Sequence, residues 1–211
     1  MKKAEKAGKV IIFDYDGTIV DSSIIVLKAY NNISKKYDLE VLKNMDELKK
    51  LYEKNVYESI LSKGLNGDKL DDFFSEWRNS FLNEDADVKI FDGMKEVIAH
   101  LAKKNDIYVI TSNSKKVILK SLQRFGIKGF KDVLGGDEEK SKVVKIGSLK
   151  KKYTNKEFYY VGDTIGDVDE ARKAGVKSVG VTWGLHSKKQ LENARADFVV
   201  DDPEELLEIL D

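Results

Sequence analysis

The sequence predicts an α/β fold: a doubly wound, Rossmann-like parallel sheet with helices on both faces and an inserted all-helical cap domain. Two kinds of segment alternate along most of the chain, namely short continuous apolar runs and amphipathic stretches with helical spacing. Continuous apolar runs are typical of strands that are buried on both faces of a sheet. A third observation is that residues 22–88 interrupt this alternation, which indicates an insertion.

The predicted strands are the apolar runs, and the predicted helices are the stretches that separate them. This alternation of strand and helix is the pattern of a parallel sheet. Strands are expected at residues 10–13, 107–110, 158–161, 178–182 and 197–200, with a further short strand at 132–134. Helices are expected at residues 94–104, 115–125, 142–152, 168–174, 188–194 and 204–210.

The interrupting segment contains no convincing strand, and its apolar residues recur at helical spacing. We therefore predict a helical cap domain over residues 22–88, inserted into a core domain that comprises residues 1–21 and 89–211. Helices of the cap are expected at residues 24–33, 46–63 and 68–83.

Charge, cysteine content and apolar run length limit the classes of function. Lys+Arg and Asp+Glu both number 37, so no global field favours nucleic acid or an anionic membrane. The chain has no cysteine, which excludes disulfides, thiolate metal sites and cysteine nucleophiles. No apolar run approaches the length of a membrane span. We expect a cytoplasmic protein, monomeric or homodimeric, that binds neither nucleic acid nor membrane.

Acidic residues follow two of the predicted strands. Asp14 and Asp16 follow the first strand, and they point to the same side because strand side chains alternate. Asp163 and Asp167 follow the strand at 158–161, whose carboxyl end lies at the same edge of a parallel sheet. Carboxylates are ligands that Mg²⁺ prefers, and Asp14 can also attack phosphorus with Asp16 as general acid. Each pair alone also fits a plain interpretation, an Asp-Gly turn and a helix cap respectively.

Two further polar segments lie at the starts of predicted helices. Thr111 and Ser112 follow the strand at 107–110, where a hydroxyl and backbone amides can bind phosphoryl oxygens. A plain helix N-cap is the alternative for this segment. Lys140 and Lys142 stand at a helix start, where the helix dipole disfavours a cation, which favours another task for one of them. The plain alternative is that either is simply one of the many lysines of this chain.

Together and in this order, these segments resemble the four motifs of the haloacid dehalogenase-like hydrolase superfamily. Residues 13–18 are similar to the first motif, Thr111 to the second and residues 162–167 to the fourth. The third motif is a lysine at a helix start, which Lys142 fits better than Lys140. The resemblance covers essentially the whole chain and is closest to the phosphoglycolate phosphatase-like branch. The closer likeness is carried by Val20-Asp21-Ser22, Phe91-Asp92-Gly93, Ala171, Ala174-Gly175 and Val181-Thr182-Trp183-Gly184.

The resemblance implies a phosphatase that acts through a covalent intermediate. Asp14 would attack phosphorus and form an aspartyl-phosphate. Asp16 would protonate the leaving alkoxide and then activate the water that hydrolyses the intermediate. Thr111, Ser112 and Lys142 would hold the phosphoryl oxygens and offset their charge.

The resemblance also implies Mg²⁺ as the cofactor and a small phosphorylated metabolite as the substrate. The metal would be held by Asp14, by Asp16 through its backbone carbonyl and by Asp163, with Asp167 in support directly or through water. The insertion over residues 22–88 would be a cap that closes over the site and reads the substrate.

Other classes share part of this pattern. A β-phosphoglucomutase-like phosphoryl transferase carries the same four motifs but usually a histidine soon after the first, whereas the histidines here are His100 and His186. A dehalogenase would need no metal and no acid at the position of Asp16. A response-regulator receiver, which is a non-enzymatic phospho-acceptor, would lack the long insertion. A binding-only relative would have lost one of the motifs.

Two residues have both a functional and a plain interpretation. Arg78, the only arginine of residues 22–88, would contact an anionic group of the substrate or lie on the surface. His186 would line the entrance to the site or belong to a surface loop, which is the ordinary case.

Overall fold

The computed structural model describes residues 8–84 and 88–211. Within them, six strands form a parallel sheet in the order β5-β4-β1-β6-β7-β8, which confirms the predicted fold class and the short strand at 132–134. Two further strands, β2 and β3, form a separate antiparallel pair. The strands are β1 Val10–Phe13, β2 Val20–Asp21, β3 Lys89–Ile90, β4 Asp106–Ile110, β5 Phe130–Leu134, β6 Phe158–Gly162, β7 Lys177–Val181 and β8 Phe198–Val200.

The helices agree with the sequence prediction at most positions. The two differences concern residues 46–63 and 168–174. The helices are α1 Ser23–Ser34, α2 Met45–Leu51, α3 Val56–Ser62, α4 Gly67–Glu84, α5 Met94–Leu101, α6 Lys115–Phe125, α7 Lys142–Lys152, α8 Ile165–Ala174, α9 Lys188–Asn193 and α10 Glu205–Leu210, with a 3₁₀ turn at Lys35–Tyr37.

The central strand β1 is apolar throughout because both faces of the sheet are covered. All four of its residues have no solvent exposure. Ile11 and Phe13 join the core cluster that contains residues of α5, α6 and α10. Val10 and Ile12 join the opposite cluster, which contains residues of α7 and α8. Alternate side chains of one strand thus build both cores, as the period of a strand requires.

The helices α1–α4 lie between β2 and β3 and surround a second hydrophobic cluster, which Leu185 from beyond β7 also joins. Tyr30, Phe73 and Trp77 are at its centre, with ring centroids 5.5 to 5.9 Å apart. The pairing of Val20 with Ile90 in β2 and β3 brings the two ends of this helical segment together. The division into a core domain and a cap domain at 22–88 stays a prediction, and residues 1–7 and 85–87 of it lie outside the described residues.

The single helix predicted over residues 46–63 is wrong, because the chain forms two helices there. The break falls at Tyr52–Asn55, between α2 and α3. The side chain of Asn55 accepts a hydrogen bond of 2.9 Å from the backbone N–H of Tyr57 and so caps α3. Asparagine favours this N-cap position over a helix interior, which is the local reason for the break.

The helix predicted from residue 168 begins three residues earlier, at Ile165. Thr164 and Asp167 form a capping box in which each side chain accepts from the backbone N–H of the other. This reciprocal pair satisfies two of the N–H groups that a helix start leaves unpaired. Within the part of the chain that the structure describes, no helix has both the length and the apolar character needed to cross a membrane.

Candidate functional site

Asp14 and Asp16, which follow the carboxyl end of β1, line one cavity, whose volume is about 170 Å³. The backbone N–H of Asp14 still continues the sheet by donating to the carbonyl of Val161 over 2.8 Å. The carboxylate of Asp16 accepts a hydrogen bond of 2.7 Å from the hydroxyl of Ser22. The chain then turns at Gly17, where φ is +76° and an added Cβ would lie 2.2 Å from the carboxylate of Asp163. Only glycine allows this turn so close to the neighbouring acid.

Three carboxylates meet at this edge of the sheet. One oxygen from each of Asp14, Asp163 and Asp167 lies within 4.8 Å of the other two, and all three residues are buried. The carboxylate of Asp163 is held at both oxygens, by the hydroxyl of Thr18 over 3.1 Å and by the backbone N–H of Leu185 over 2.8 Å. The second acid-bearing strand end, β6, therefore places its residues beside those of β1, as the sequence predicts.

Asp167 both caps helix α8 and contributes a carboxylate to the site, which are the two roles that the sequence left open. One oxygen, Oδ2, accepts from the backbone N–H and the hydroxyl of Thr164 over 3.1 and 2.7 Å, and so caps α8. The other oxygen, Oδ1, accepts from the ammonium of Lys142 over 2.7 Å. The helix cap thus fixes the orientation of a carboxylate that belongs to the site.

Lys142, rather than Lys140, is the lysine of this site. Its Nζ lies 3.1 Å from Asp14 and 2.7 Å from Asp167, and all three side chains are buried. Lys140 instead forms an exposed ion pair with Asp71 of α4. Lys142 is the first residue of α7, where the dipole disfavours a cation, so the two carboxylates supply the compensation.

The site contains more carboxyl groups than ammonium groups. Burial, together with the charge of Asp167, raises the pKa of Asp163 to about 7. Burial also raises the pKa of Asp14 well above its ordinary value, although Lys142 opposes this rise. Burial of Lys142 lowers its pKa, but the carboxylates of Asp14 and Asp167 outweigh this effect and hold the pKa of Lys142 well above the usual range. Crowded hard oxygen donors with one ammonium between them suit an added divalent cation.

Thr111 and Ser112 follow β4 and line the same cavity. The hydroxyl of Thr111 accepts a hydrogen bond of 3.0 Å from the backbone N–H of Asn113, which orients the turn. The carbonyl of Thr111 accepts a bond of 2.8 Å from the ammonium of Lys145, which is buried one turn after Lys142 on α7. The predicted phosphate-binding residues Thr111, Ser112 and Lys142 thus line the same cavity as Asp14, Asp16 and Asp167.

Among the residues that line the cavity, Asn55 and Glu170 were missed by sequence reasoning, and Tyr52 was only one of several aromatic residues of the insertion of which one or two were expected to face the substrate. Tyr52 comes from the break between α2 and α3, and no hydrogen bond to its hydroxyl occurs among the described residues. Burial, followed by the charges of Asp16 and Asp14, raises the pKa of Tyr52. Asn55 and Glu170 also line the cavity. Glu170 was detectable, because it lies three residues after Asp167 and therefore on the same face of α8.

His186 is neither at the entrance nor on the surface, so both interpretations offered by the sequence are wrong. The residue is fully buried and does not line the cavity. Its Nδ1 accepts from the backbone N–H of Ile165 over 2.8 Å, and its Nε2 lies 3.1 Å from the carbonyl of Lys49. The ring is therefore the tautomer with its proton on Nε2, and it bridges the start of α8 to helix α2.

Comparison with known proteins agrees with this geometry. Residues 11–181 match the family model of the haloacid dehalogenase-like hydrolases, and the chain therefore belongs to that family. It is similar to a phosphoglycolate phosphatase of Synechococcus elongatus, with 26% identity over 95% of this chain and 96% of the relative. It is also similar to the pyrophosphatase PpaX of Bacillus velezensis, with 26% identity over 97% of both chains. These relatives confirm the predicted phosphoglycolate phosphatase-like branch.

A solved structure shares the fold. A haloacid dehalogenase-like family protein from Streptococcus pneumoniae superimposes with a TM-score of 0.79, covering 98% of this chain and 100% of that one. The sequence identity is 20%, so this likeness concerns the fold alone.

Proposed function

We propose that this chain is a divalent-cation-dependent phosphatase that hydrolyses a small phosphorylated metabolite through an aspartyl-phosphate at Asp14. Its family and its phosphatase relatives make it an enzyme of the phosphatase class. The observation that supports the mechanism is the position of Lys142, which lies 3.1 Å from Asp14 and lines the same cavity. An ammonium there offsets the charge of a carboxylate nucleophile and of the incoming phosphoryl group.

The reaction proceeds in two transfers. An oxygen of Asp14 forms a bond to phosphorus while the bond from phosphorus to the leaving oxygen breaks. Asp16, which shares the cavity and is held by Ser22, gives its proton to that leaving oxygen. Asp16 then takes a proton from water, which attacks the phosphorus and releases phosphate and free Asp14. Thr111, Ser112 and Lys142 hold the phosphoryl oxygens through both transfers.

The acidic cluster fits Mg²⁺, with Asp14, Asp163 and Asp167 as the carboxylates that would hold it and the backbone carbonyl of Asp16 as a further ligand. When bound, the cation neutralises charge so that an anionic carboxylate and an anionic phosphate can approach each other. The choice of Mg²⁺ over other cations rests on the hard oxygen donors and the tight cluster.

The cavity favours a short substrate. Its volume of about 170 Å³ is comparable to an engineered protein cavity of about 150 Å³ that accommodates benzene. Phosphoglycolate and pyrophosphate, the substrates in the names of the relatives, are of that small class. Residues 22–88 would close over such a substrate as a cap and exclude water. A cytoplasmic location and a monomeric or homodimeric state remain predictions.

The direct test measures phosphate release from p-nitrophenyl phosphate, phosphoglycolate, pyrophosphate and glucose 1-phosphate, with Mg²⁺ and with EDTA. We expect release that requires Mg²⁺ and a kcat/KM that is highest for the short anionic substrates. Ca²⁺ should support little turnover, because its longer bonds and higher coordination number would misplace Asp14. Full activity in EDTA would contradict the metal dependence. Interconversion of sugar phosphates without phosphate release would favour the mutase alternative.

A further inference from the structure

Asn55 makes a direct hydrogen bond from the helical segment α1–α4 to the sheet domain. Its Nδ2 donates to Glu170 Oε1 over 2.5 Å, while its Oδ1 caps helix α3. The chain packs closely around this bond. An added Cβ at Gly166, in the first turn of α8, would lie 3.0 Å from the carbonyl oxygen of Lys54. The loop Tyr52–Asn55 therefore rests directly on α8.

Glu170 connects this loop to the lysine of the site. Its other oxygen, Oε2, lies 3.8 Å from Nζ of Lys142, and both side chains are buried. Lys142 is thus shared by three carboxylates, those of Asp14, Asp167 and Glu170. The distance from Lys142 Nζ to the carboxylate oxygen increases in the order Asp167, Asp14, Glu170. While Asn55 is hydrogen-bonded to its Oε1, Glu170 is therefore the weakest of the three partners of Lys142.

We propose that Asn55 and Glu170 are positioning residues that couple docking of the loop Tyr52–Asn55 to the alignment of Lys142. With the loop docked, the amide of Asn55 holds Glu170 and leaves Lys142 directed at Asp14. With the loop displaced, Glu170 loses its amide donor, and Lys142 is its nearest cation. Without the amide of Asn55 to occupy Oε1, the charge of Glu170 would draw Lys142 away from Asp14. The inference rests on the proposed phosphatase function.

The chain offers a matched pair of variants. Asn55→Asp keeps an oxygen for the N-cap of α3 but sets a second carboxylate against Glu170. Asn44→Asp makes the same change at the N-cap of α2, where Asn44 accepts from Glu47 over 3.0 Å. Asn44 makes no hydrogen bond to the sheet domain among the described residues, so this variant controls for added charge in the same helical segment.

We expect Asn55→Asp to lower kcat by about 10- to 100-fold, the scale of a small misplacement of a reacting group. The loss should appear mainly in kcat, because Lys142 is displaced rather than removed. Asn44→Asp should keep wild-type kinetics. Hydrogen exchange at residues 52–55 should be faster in Asn55→Asp than in Asn44→Asp, and this readout does not depend on turnover.

The double variant Asn55→Asp with Glu170→Gln reverses the donor and the acceptor. The amide of Gln at position 170 can donate to Asp at position 55, so kcat should return most of the way to the wild type. Equal kcat in Asn55→Asp and Asn44→Asp, or a folded double variant no faster than Asn55→Asp, would overturn the coupling. If the double variant unfolds, the comparison of Asn55→Asp with Asn44→Asp decides alone. Absence of phosphatase activity in the wild type would instead contradict the proposed function.

Discussion

The Nζ atom of Lys142 lies 3.1 Å from an oxygen of Asp14 and 2.7 Å from an oxygen of Asp167. These three residues come from α7, the end of β1 and the first turn of α8, and all are buried. One ammonium therefore compensates two carboxylates that burial would otherwise make unfavourable. This arrangement motivates the first two predictions.

Lys142→Met should lower kcat/KM by about 10²–10³-fold, which is the cost of removing one preorganised donor to transition-state charge. It also leaves the buried carboxylates without their cation, so the free energy of unfolding should fall by about 3–5 kcal/mol in EDTA. Lys140→Met is the matched control, because its ion pair with Asp71 is exposed and worth at most about 1 kcal/mol. Kinetics and urea unfolding of both variants check the prediction. Equal losses in the two variants would contradict it.

Asp14→Asn should abolish detectable turnover and form no phosphoenzyme, because it removes the proposed nucleophile. Asp16→Asn should instead lose about 10²–10⁴-fold, the usual contribution of general acid–base catalysis. That loss should shrink with p-nitrophenyl phosphate, whose leaving group needs little protonation. Quench-flow and mass spectrometry of the phosphoenzyme separate the two variants. Phosphate on a residue other than Asp14 would disprove the assignment.

Arg78 should select substrates with a second anionic group. Its Nη1 donates to the hydroxyl of Tyr57 over 2.7 Å, and no carboxylate pairs with it among the described residues. It lines a small cavity of about 40 Å³ together with Asp16, Tyr52 and Ser112, which also line the main cavity. Arg78→Gln should therefore lower the ratio of kcat/KM for phosphoglycolate to kcat/KM for 2-hydroxyethyl phosphate by about tenfold or more. This is the change expected when one charged hydrogen bond to the substrate is lost.

The control for Arg78 is Arg172→Gln, which removes an ion pair between the exposed side chains of Arg172 and Asp169, neither of which lines the cavity. Its ratio of kcat/KM values for the two substrates should equal that of the wild type. An unchanged ratio in Arg78→Gln would show that this guanidinium does not read the substrate.

Lys145 should make stability depend on pH in the alkaline range. Burial, with help from the charge of Lys142, lowers the pKa of Lys145 to about 8. An unfolded lysine titrates near pH ~10.4, so between about pH 8 and pH 10 the unfolded state binds more protons. The contribution of Lys145 to the free energy of unfolding therefore rises with pH across that window. This stabilising contribution disappears as the pH falls through 8.

Urea unfolding at several pH values checks this prediction in Lys145→Met. The stability difference between wild type and variant should grow in favour of the wild type from about pH 8 to pH 10, by on the order of 1–3 kcal/mol. Lys151→Met, at an exposed position of the same helix, should show a difference that does not change with pH. A constant difference for Lys145→Met would contradict the lowered pKa.

Local sequence was sufficient for the sheet and for much of the site. The apolar run of β1 predicts a strand buried on both faces, and Asp14 and Asp16 follow it directly. Asp163 follows β6 in the same way, since Gly162 ends that strand. Parallel strands bring their carboxyl ends to one edge, so residues far apart in the chain could be placed together without coordinates.

Local sequence could not separate residues whose surroundings depend on distant packing. Lys140 and Lys142 stand two positions apart at one helix start. The local pattern did not distinguish them, and only the family resemblance favoured Lys142 as the lysine of the site. The N-cap at Ser141 makes Lys142 the first residue of α7, and this turn directs it to the buried acids. His186 was expected at the entrance to the site or in a surface loop, yet it is buried because it bridges two segments distant in sequence.

The sequence by itself determined the α/β architecture, the helical insertion and the acids at the strand ends, because hydrophobic period and strand direction are local properties. Only the tertiary structure decided which lysine joins the acids and that Asn55 reaches Glu170 across 115 positions of the chain. It also decided that Tyr52 lines the cavity. These contacts depend on how the helical segment packs onto the sheet, and such packing has no period that a single sequence displays.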